Sequence, residues 1–453
     1  MVFLGILASF FIFSIMVVLH ELWHYSVAKF FGIHVDEFGL WIPPRAKKLW
    51  KNASWTLFSL NWIPLGWFVK IAGESEISFE YFDKKGVKLS LENIETLLMK
   101  HDDIFDIKKE KISKAERKYL KARLKNYHPG KNFFEKNIFQ KSAVLLAGVI
   151  MNFLLAGVIF SSLFFVGVSP VGINTFLPSS YDSKLIPTLS DALENWFIQE
   201  NPGIVLFPTP WSIAEKSWIM QEDILIQIDW NTLGIDEIPQ YIQSKKWEEI
   251  ELYIERKTIC PSENQGQELC ATKEYKSIQL APNSEGKIWS YLAPNYSINN
   301  DFNYKYSLWN AIKYGFLETY SQIQLTFSGL KLLWKNVFFP ETPEERSEAI
   351  EKVSGPIGIV SLITDSLAGG IMLLFILWAI ISVNLWVFNL LPIPALDGWR
   401  LLLLWIRSIF EILFGKNEIS GKIENLIHVI FFLLLIALSL IIAYNDIIKI
   451  FLD

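Results

Sequence analysis

The stretch that decides the fold is residues 1–31, MVFLGILASFFIFSIMVVLHELWHYSVAKFF. Its first 19 residues carry no charged side chain. A membrane-spanning helix needs about 20 nearly uncharged residues, because each rises about 1.5 Å through a hydrocarbon layer of roughly 30 Å. The stretch therefore predicts a first transmembrane helix. A cleaved signal peptide is the alternative, and the absence of Lys or Arg before the apolar run argues against it.

Three further stretches of the same character follow, at residues 142–169, 366–396 and 426–445. The whole chain of 453 residues is 51% hydrophobic and only 20% charged, which excludes an ordinary soluble enzyme. Its net charge of −5 and the lack of a basic, aromatic groove exclude a nucleic-acid partner. The sequence therefore predicts an α-helical polytopic membrane protein with four transmembrane helices.

Charge predicts the orientation of these helices. Residues 32–141 contain 21 Lys and Arg against 14 Asp and Glu, whereas residues 169–365 contain 15 against 26. Basic residues near span ends mark cytoplasmic loops. We therefore expect the first loop inside, the second loop outside and both termini on the extracytoplasmic side of the cell membrane. The basic residues that flank the first loop are Lys29, Arg45, Lys47, Lys48, Lys136 and Lys141.

The first span contains two imidazoles and a carboxylate in the pattern His20-Glu21-Leu22-Trp23-His24. Residues four apart share a helix face, so His20 and His24 can bind one zinc ion. Glu21, about 100° around the helix, can act as general base on a water beside the ion. Polar side chains in a span cost about 3 kcal/mol each, so the cluster indicates a function. The alternative interpretation is an interfacial helix end without a metal.

Asp397 is the predicted third zinc ligand, since two histidines and a water still leave one position to fill. It follows the third span in the stretch 389–398, NLLPIPALDG, where two prolines must break the helix and free backbone groups near the membrane. The first and third spans both run from outside to inside. Their C-terminal ends lie at the same membrane face, so the histidine pair and Asp397 can meet.

Together, the two motifs resemble the site-2 protease family of intramembrane zinc metalloproteases, and most closely its bacterial branch with an extracytoplasmic PDZ domain. Three more stretches agree: 64–74 (PLGWFVKIAGE), 147–152 (AGVIMN) and 355–358 (GPIG). The resemblance implies a zinc endopeptidase that works by regulated intramembrane proteolysis in the lipid bilayer. It also implies single-span membrane proteins, such as anti-sigma factors, or signal-peptide remnants as substrates, after an upstream protease has shortened them.

The resemblance also implies how a substrate is held. A membrane-associated β-loop at about residues 57–74, which contains Gly66, would pair edge-on with an unwound substrate segment. Asn152 and Asn389 would hold substrate or stabilise an oxyanion through their amide donors. Helix-to-helix hydrogen bonding is an equally weighted alternative for each asparagine.

The sequence departs from the family's pattern at three positions near these motifs. Trp67 and Trp399 stand where the family usually has glycine, and Val149 stands where it usually has proline. None of these changes removes a predicted ligand or the base. The two tryptophans lack the close backbone approach that glycine allows.

Residues 170–300 are predicted to form an extracytoplasmic PDZ-like α+β domain. The runs 224–228 and 250–255 are rich in β-formers and bounded by turn signals, and residues 214–229 resemble the helix-to-strand core of a PDZ domain. Cys260 and Cys270 fall on the predicted outer side, where one hairpin disulfide and two free thiols both remain open.

The remaining segments complete the predicted architecture. An amphipathic helix is expected to lie on the outer membrane face within 301–365, with a short buried helix as the alternative. The insert at 75–137 reads as a solvated helical pair. The predicted boundaries are a first transmembrane helix (1–31), a cytoplasmic loop (32–137), a second helix (138–169), the PDZ-like domain (170–300), the amphipathic helix and linker (301–365), a third helix with the Asp ligand (366–398), a cytoplasmic loop (399–425) and a fourth helix with the C-terminus (426–453).

Two other classes of function compete with a protease. A catalytically silent scaffold that captures peptide termini would be free to lose Glu21, and Glu21 is present. A zinc transporter would need more acids and histidines along a path, and the first three spans contain no second such cluster. Both are therefore disfavoured.

Overall fold

The computed structural model of the chain describes residues 2–74, 81–82, 88–89, 130–174, 182–259, 271–283, 287–288, 290–299, 301–351, 353, 355–414 and 421–452. The chain forms two compact units, one of residues 1–168, 177–184 and 304–453, and one of residues 169–176 and 185–303. Cys260, Cys270 and most of the predicted 75–137 insert lie outside the described residues.

The elements of the described chain, in order, are α1 (Val2–Phe30), β1 (Val35–Lys51), β2 (Leu57–Ile71), β3 (Tyr81–Phe82), β4 (Lys88–Leu89), a 3-10 turn (Phe133–Glu135), α2 (Ile138–Val166), α3 (Leu189–Glu194), β5 (Ile198–Pro208), α4 (Ile213–Lys216), β6 (Asp223–Ile228), α5 (Ile238–Ser244), β7 (Ile250–Ile259), β8 (Ala271–Leu280), β9 (Ser290–Ile298), α6 (Leu308–Phe338), α7 (Pro343–Glu351), α8 (Pro356–Ala368), α9 (Ile371–Leu390), α10 (Asp397–Phe414) and α11 (Gly421–Leu452).

Four of the described helices are long and apolar enough to cross a membrane: α1, α2, α9 and α11. The chain is therefore a polytopic membrane protein with additional β-sheets. Its third span begins at Ile371 rather than at 366, because the chain breaks at Gly370, whose φ of 114° lies outside helical space. The predicted loop at 399–425 is largely the helix α10, which begins at Asp397.

Helix α6 differs from its predicted place on the outer membrane face, because it packs along two of the spanning helices. The Phe316 ring lies 5.8 Å from the Phe153 ring of α2. Further along, Thr326 Oγ1 donates to Asn384 Oδ1 of α9 at 2.8 Å. Asn384 lies about 20 Å along α9 from its first residue, Ile371, at 1.5 Å per residue. A helix lying flat on the surface would not reach that depth.

Buried polar side chains explain why the sequence pattern of α6 is misleading. Glu318, only 2% exposed, accepts hydrogen bonds from Ser183 Oγ at 2.6 Å, from Lys184 N at 2.8 Å and from Gln322 Nε2 at 2.8 Å. A face that carries a carboxylate and an amide appears solvent-facing in the sequence. These groups are buried here because they satisfy each other and the segment at 183–184.

Strands β1 and β2 form a small antiparallel sheet next to the end of α1. Residues 37–40 pair on one side with 57–60 and on the other with 67–70, while residues 45–51 pair with 57–61. The bent strands therefore leave 67–71 at one edge of the sheet and 45–51 at the other. Although burial opposes ionisation of Glu37, hydrogen bonds from Arg45 and Ser59 hold its pKa below the usual value and fix the bend.

The second unit contains a five-stranded antiparallel sheet in the order β8-β7-β6-β5-β9. Its apolar core is built from alternate residues of β6 and β7, such as Leu225, Leu252 and Ile254. The buried Asp223 at the start of β6 accepts two hydrogen bonds from Arg256 of β7, at 2.7 and 2.6 Å. This bidentate pair locks the two strands in register.

Candidate metal centre

Helix α1 places its two histidines against helix α2. The imidazole rings of His20 and His24 lie 4.8 Å apart, as expected for residues one turn apart. His24 Nδ1 donates to the backbone carbonyl oxygen of Val144 at 2.7 Å. This hydrogen bond places the proton of His24 on Nδ1 and leaves the lone pair of Nε2 facing His20.

The chain after α9 turns sharply to bring Asp397 to the same place. Helix α9 ends at Leu390, and Pro392 and Pro394 prevent it from continuing. A side chain at Gly398 would overlap the carbonyl oxygens of Leu390 and Leu391. Only glycine therefore lets the first turn of α10 fold back on the end of α9, which positions Asp397.

Three ligand atoms converge at this point. His20 Nε2 lies 3.1 Å from Asp397 Oδ2, His24 Nε2 lies 3.5 Å from the same oxygen, and the two Nε2 atoms are 3.2 Å apart. Among the described residues, these form a cluster with the donor set of a metal site. The predicted meeting of His20, His24 and Asp397 is therefore observed as a geometry.

The triangle of donors fits zinc in both chemistry and size. Two imidazoles and one carboxylate are a common zinc ligand set, and ligand atoms about 2.0–2.1 Å from a tetrahedral ion lie about 3.3 Å from each other. The three observed separations bracket that value. A fourth position remains for water or substrate, as catalytic sites require.

Gly148 of α2 faces the two imidazoles. A Cβ at this position would overlap the Nε2 atoms of both His20 and His24. Because glycine has no side chain, the space beside the two Nε2 atoms stays free. A bound zinc ion would need that space.

Replacing Gly148 with alanine is expected to lower zinc content sharply, because the methyl group would displace both imidazoles from the ligand triangle. The measurement is the zinc content of the purified protein by elemental analysis. Gly157→Ala is the matched control on the same helix: its Cβ would meet the Phe316 ring instead. We expect the control to lose stability but keep zinc, and equal loss of zinc in both variants would contradict the prediction.

Glu21 lies beside the ligand triangle on α1, half-buried, and both histidines and Asp397 act on its carboxylate electrostatically. Close by, Arg400 Nη1 donates to Glu74 Oε1 at 2.7 Å and so joins the end of β2 to α10. Burial raises the pKa of the Glu74 carboxyl above its usual value, and Arg400 opposes that shift.

The other predicted site residues occupy different surroundings. Asn152 is 1% exposed, and its side-chain nitrogen lies 3.3 Å from His20 Nδ1. Asn389 is half-buried in the last turn of α9, eight residues before Asp397. Gly66 is exposed in β2 with a φ of 75°. The structure therefore brings Asn152, but not Gly66, to the ligands, and the role of each stays a prediction.

Sequence reasoning missed the contribution of Val144 and of the Glu74–Arg400 pair. A backbone carbonyl has no sequence signal, so the Val144 contact could not be found. Gly148 had a signal, because it stands in the 147–152 stretch one helical turn before Asn152. A glycine that shares a face with a polar residue in a spanning helix indicates close approach by another group.

The comparison with known families decides what kind of site this is. Residues 8–438 match the model described as Peptidase family M50. The chain belongs to peptidase family M50, the site-2 protease family. It is a zinc metalloprotease of the site-2 type, and the predicted family, enzyme class and zinc cofactor are confirmed.

M50 relatives are similar over nearly their whole length. The chain is 27% identical over 481 residues to zinc metalloprotease RasP of Geobacillus kaustophilus, with 99% of each chain covered. A putative zinc metalloprotease of Staphylococcus aureus is 24% identical over 481 residues with 99% of each covered. Another, of Clostridium perfringens, is 26% identical over 437 residues with 96% of each covered. The M50 chain described here is thus similar to zinc metalloproteases from end to end.

Proposed function

We propose that the protein is an endopeptidase that cuts the transmembrane segments of single-span membrane proteins or signal-peptide remnants. His20, His24 and Asp397 bind zinc, and Glu21 is the general base. The observation that carries this proposal is the meeting of three ligand atoms 3.1–3.5 Å apart beside Glu21, from residues separated by 377 positions in the chain.

Bound zinc supplies Lewis acidity, which polarises a peptide carbonyl and makes water more acidic. Glu21 takes the proton of the attacking water on its carboxylate and then delivers it to the leaving amine. Its position one residue after His20 keeps the carboxylate beside the ligand triangle without occupying a ligand position. The Val144 carbonyl holds the His24 ring in the orientation that this arrangement needs.

The free edges of the small sheet support the proposed mode of substrate binding. Among the described residues, 67–71 pair with β1 on one side only, so their other side offers backbone donors and acceptors to an extended peptide. Peptide bonds in a helix are shielded by their own hydrogen bonds, so a substrate segment must unwind before it is cut. The Glu74–Arg400 pair joins this edge to the helix that begins with Asp397.

The second unit supports the further proposal of an extracytoplasmic PDZ-like domain. It combines an antiparallel sheet of five strands with short helices, α3, α4 and α5, in the region predicted for that domain. We place this unit outside the cell membrane, the first loop inside and both termini outside, on the balance of basic residues beside the spans. The substrates would first be shortened by an upstream protease.

Removing the metal is expected to abolish cleavage reversibly. The protein in lipid vesicles, with a model single-span substrate, should lose activity when a zinc chelator is added and regain it when zinc returns. Product is measured on gels as a shortened fragment. The control is magnesium in excess, which lacks affinity for imidazole ligands and should not restore activity. Cleavage that continues in zinc-free protein would contradict the proposed chemistry.

A further inference from the structure

We propose that Asn152 positions His20 for the metal through its side-chain oxygen, and not substrate through its side-chain nitrogen. This inference rests on the proposed zinc site. Asn152 lies in α2, opposite His20, and is nearly fully buried. Its amide Oδ1 has no hydrogen-bond partner among the described residues, while its Nδ2 lies 3.3 Å from His20 Nδ1.

The two amide atoms of an asparagine are assigned from their hydrogen bonds, because nitrogen and oxygen have nearly the same shape. With the amide turned by 180°, Oδ1 lies beside His20 Nδ1 and accepts a hydrogen bond from its N–H group. That orientation presents an acceptor to the proton that His20 must carry on Nδ1 when the lone pair of its Nε2 binds the metal. The amide oxygen of Asn152 then holds the imidazole of His20 and does not bind a substrate.

The consequence for His20 is a fixed tautomer. A proton held on Nδ1 leaves the lone pair on Nε2, which points at Asp397 Oδ2 at 3.1 Å and at His24 Nε2 at 3.2 Å. His24 is oriented in the same way by the Val144 carbonyl. Both histidines of α1 would thus donate a hydrogen bond from Nδ1 to an acceptor of α2, and the two acceptors lie about two turns apart along that helix.

The test separates the oxygen of Asn152 from its nitrogen. Zinc affinity is measured by competition with a chelator in protein that also carries Glu21→Gln, so the readout does not depend on activity. Asn152→Leu removes both atoms and is expected to weaken zinc binding about 10- to 100-fold. Asn152→Asp keeps an acceptor and loses the donor, and we expect it to match or exceed the parent's affinity.

The opposite results overturn the inference. Unchanged affinity in Asn152→Leu, or a loss in Asn152→Asp equal to that in Asn152→Leu, would mean that the oxygen does not orient His20. Ser382→Ala is the matched control, because Ser382 Oγ donates to the backbone oxygen of Asn152 at 2.8 Å and not to the imidazole. If the parent itself bound no zinc, the proposed zinc site would fail instead, which is a distinguishable outcome.

A second inference comes from an independent observation on the tryptophans. In the part of the chain that the structure describes, ten residues other than glycine have a positive φ, and seven of them are tryptophan, although only 18 of the 453 residues of the chain are tryptophan. A bulky residue in this left-handed region is a genuine outlier, since Cβ crowds the following carbonyl oxygen. The seven, with φ of 61–68°, are Trp41, Trp55, Trp196, Trp211, Trp218, Trp230 and Trp247.

Three of them, Trp196, Trp218 and Trp230, stand at backbone positions that glycine usually occupies. After α3, Trp196 N donates to Leu193 O and Phe197 N donates to Ala192 O, the paired bonds of a Schellman cap, whose left-handed position is usually glycine. Trp218 occupies the same position after α4. After α1 that position is held by Gly32, with a φ of 68° and the same two bonds.

In the hairpin after β6, tryptophan again stands at a position that glycine usually occupies. Ile228 and Asn231 exchange both backbone hydrogen bonds across a two-residue loop, in which Asp229 and Trp230 have φ of 45° and 65°. A loop with two positive φ angles prefers Asp-Gly, and here it is Asp-Trp. A membrane-interface belt would explain exposed tryptophans, but it would not require left-handed backbone at each of them.

We infer that the protein made in its own cells carries glycine at these seven positions, because a codon that the sequence renders as tryptophan is read there as glycine. UGA is such a codon, since different genetic codes read it as stop, tryptophan or glycine.

Mass spectrometry of the protein from its own cells tests this inference directly. Peptides that contain positions 196, 218 and 230 should have the masses expected with glycine at those positions. Masses expected with tryptophan there would overturn the inference. In a chain made with tryptophan at all 18 of its tryptophan positions, Trp196→Gly, Trp218→Gly and Trp230→Gly should each raise the Tm by about 2 °C. Trp405→Gly is the control and should lower it, because Trp405 Nε1 donates to Ser142 Oγ at 3.0 Å. A lower Tm in all four variants would also contradict the inference.

Discussion

Replacing Glu21 with glutamine is expected to reduce cleavage of a model transmembrane substrate by about 10³-fold or more while zinc stays bound. Glutamine has nearly the same shape as glutamate but cannot accept the proton of the attacking water, and general base catalysis contributes about 10²- to 10⁴-fold. The ligand triangle of His20, His24 and Asp397 does not include Glu21. The measurements are single-turnover cleavage in lipid vesicles and zinc content of the same preparation.

The zinc content distinguishes a lost base from a damaged site. Glu21→Asp keeps a carboxylate on a side chain one methylene shorter and should retain part of the activity, because the base is displaced but not removed. A Glu21→Gln protein that holds zinc and still turns over at the parent's rate would remove Glu21 from the mechanism. A protein without zinc would instead assign Glu21 a part in metal binding.

The four spans and the pairing of His20 with His24 could be predicted from the sequence because each depends on a short-range signal. A run of about 20 apolar residues predicts a spanning helix, and the spacing of His20 and His24 follows from the helical repeat. Asp397 required one more step. Counting the crossings shows that the ends of the first and third spans share a membrane face, which makes contact between residues 377 positions apart possible.

The contacts that complete the site could not be predicted, because they depend on how helices pack. Nothing in the sequence indicates that the carbonyl of Val144 faces His24, and the glycine at position 148 indicates a close approach without showing that the two imidazoles make it. Helix α6 shows the same limit: its pattern of apolar residues predicted a surface helix, and the buried hydrogen bonds of Glu318 reverse that assignment. Amphipathic patterns identify a polar face but not whether water or protein covers it.

Replacing Asp397 with asparagine is expected to lower zinc affinity by about 10²-fold or more, and to abolish activity for that reason. Asparagine keeps the shape of the side chain and replaces an anionic ligand oxygen with a neutral amide, at the one ligand that contacts both imidazoles, 3.1 Å from His20 and 3.5 Å from His24. The binding free energy of structural zinc sites is about 10–16 kcal/mol, so one ligand of four accounts for about 3 kcal/mol. A loss of about 3 kcal/mol corresponds to an affinity about 10²-fold lower.

Thermal unfolding gives a readout of this loss that does not require activity. A ligand that binds only the folded protein raises its Tm, so added zinc should stabilise the parent and have little effect on Asp397→Asn. Asp446→Asn is the matched control: that buried carboxylate accepts backbone hydrogen bonds from Gly355 at 3.2 Å and Gly358 at 2.8 Å, and belongs to α11. We expect the control to unfold at a lower temperature but keep its full response to zinc. An undiminished zinc response in Asp397→Asn would mean that convergence of these three residues serves helix packing and not the metal.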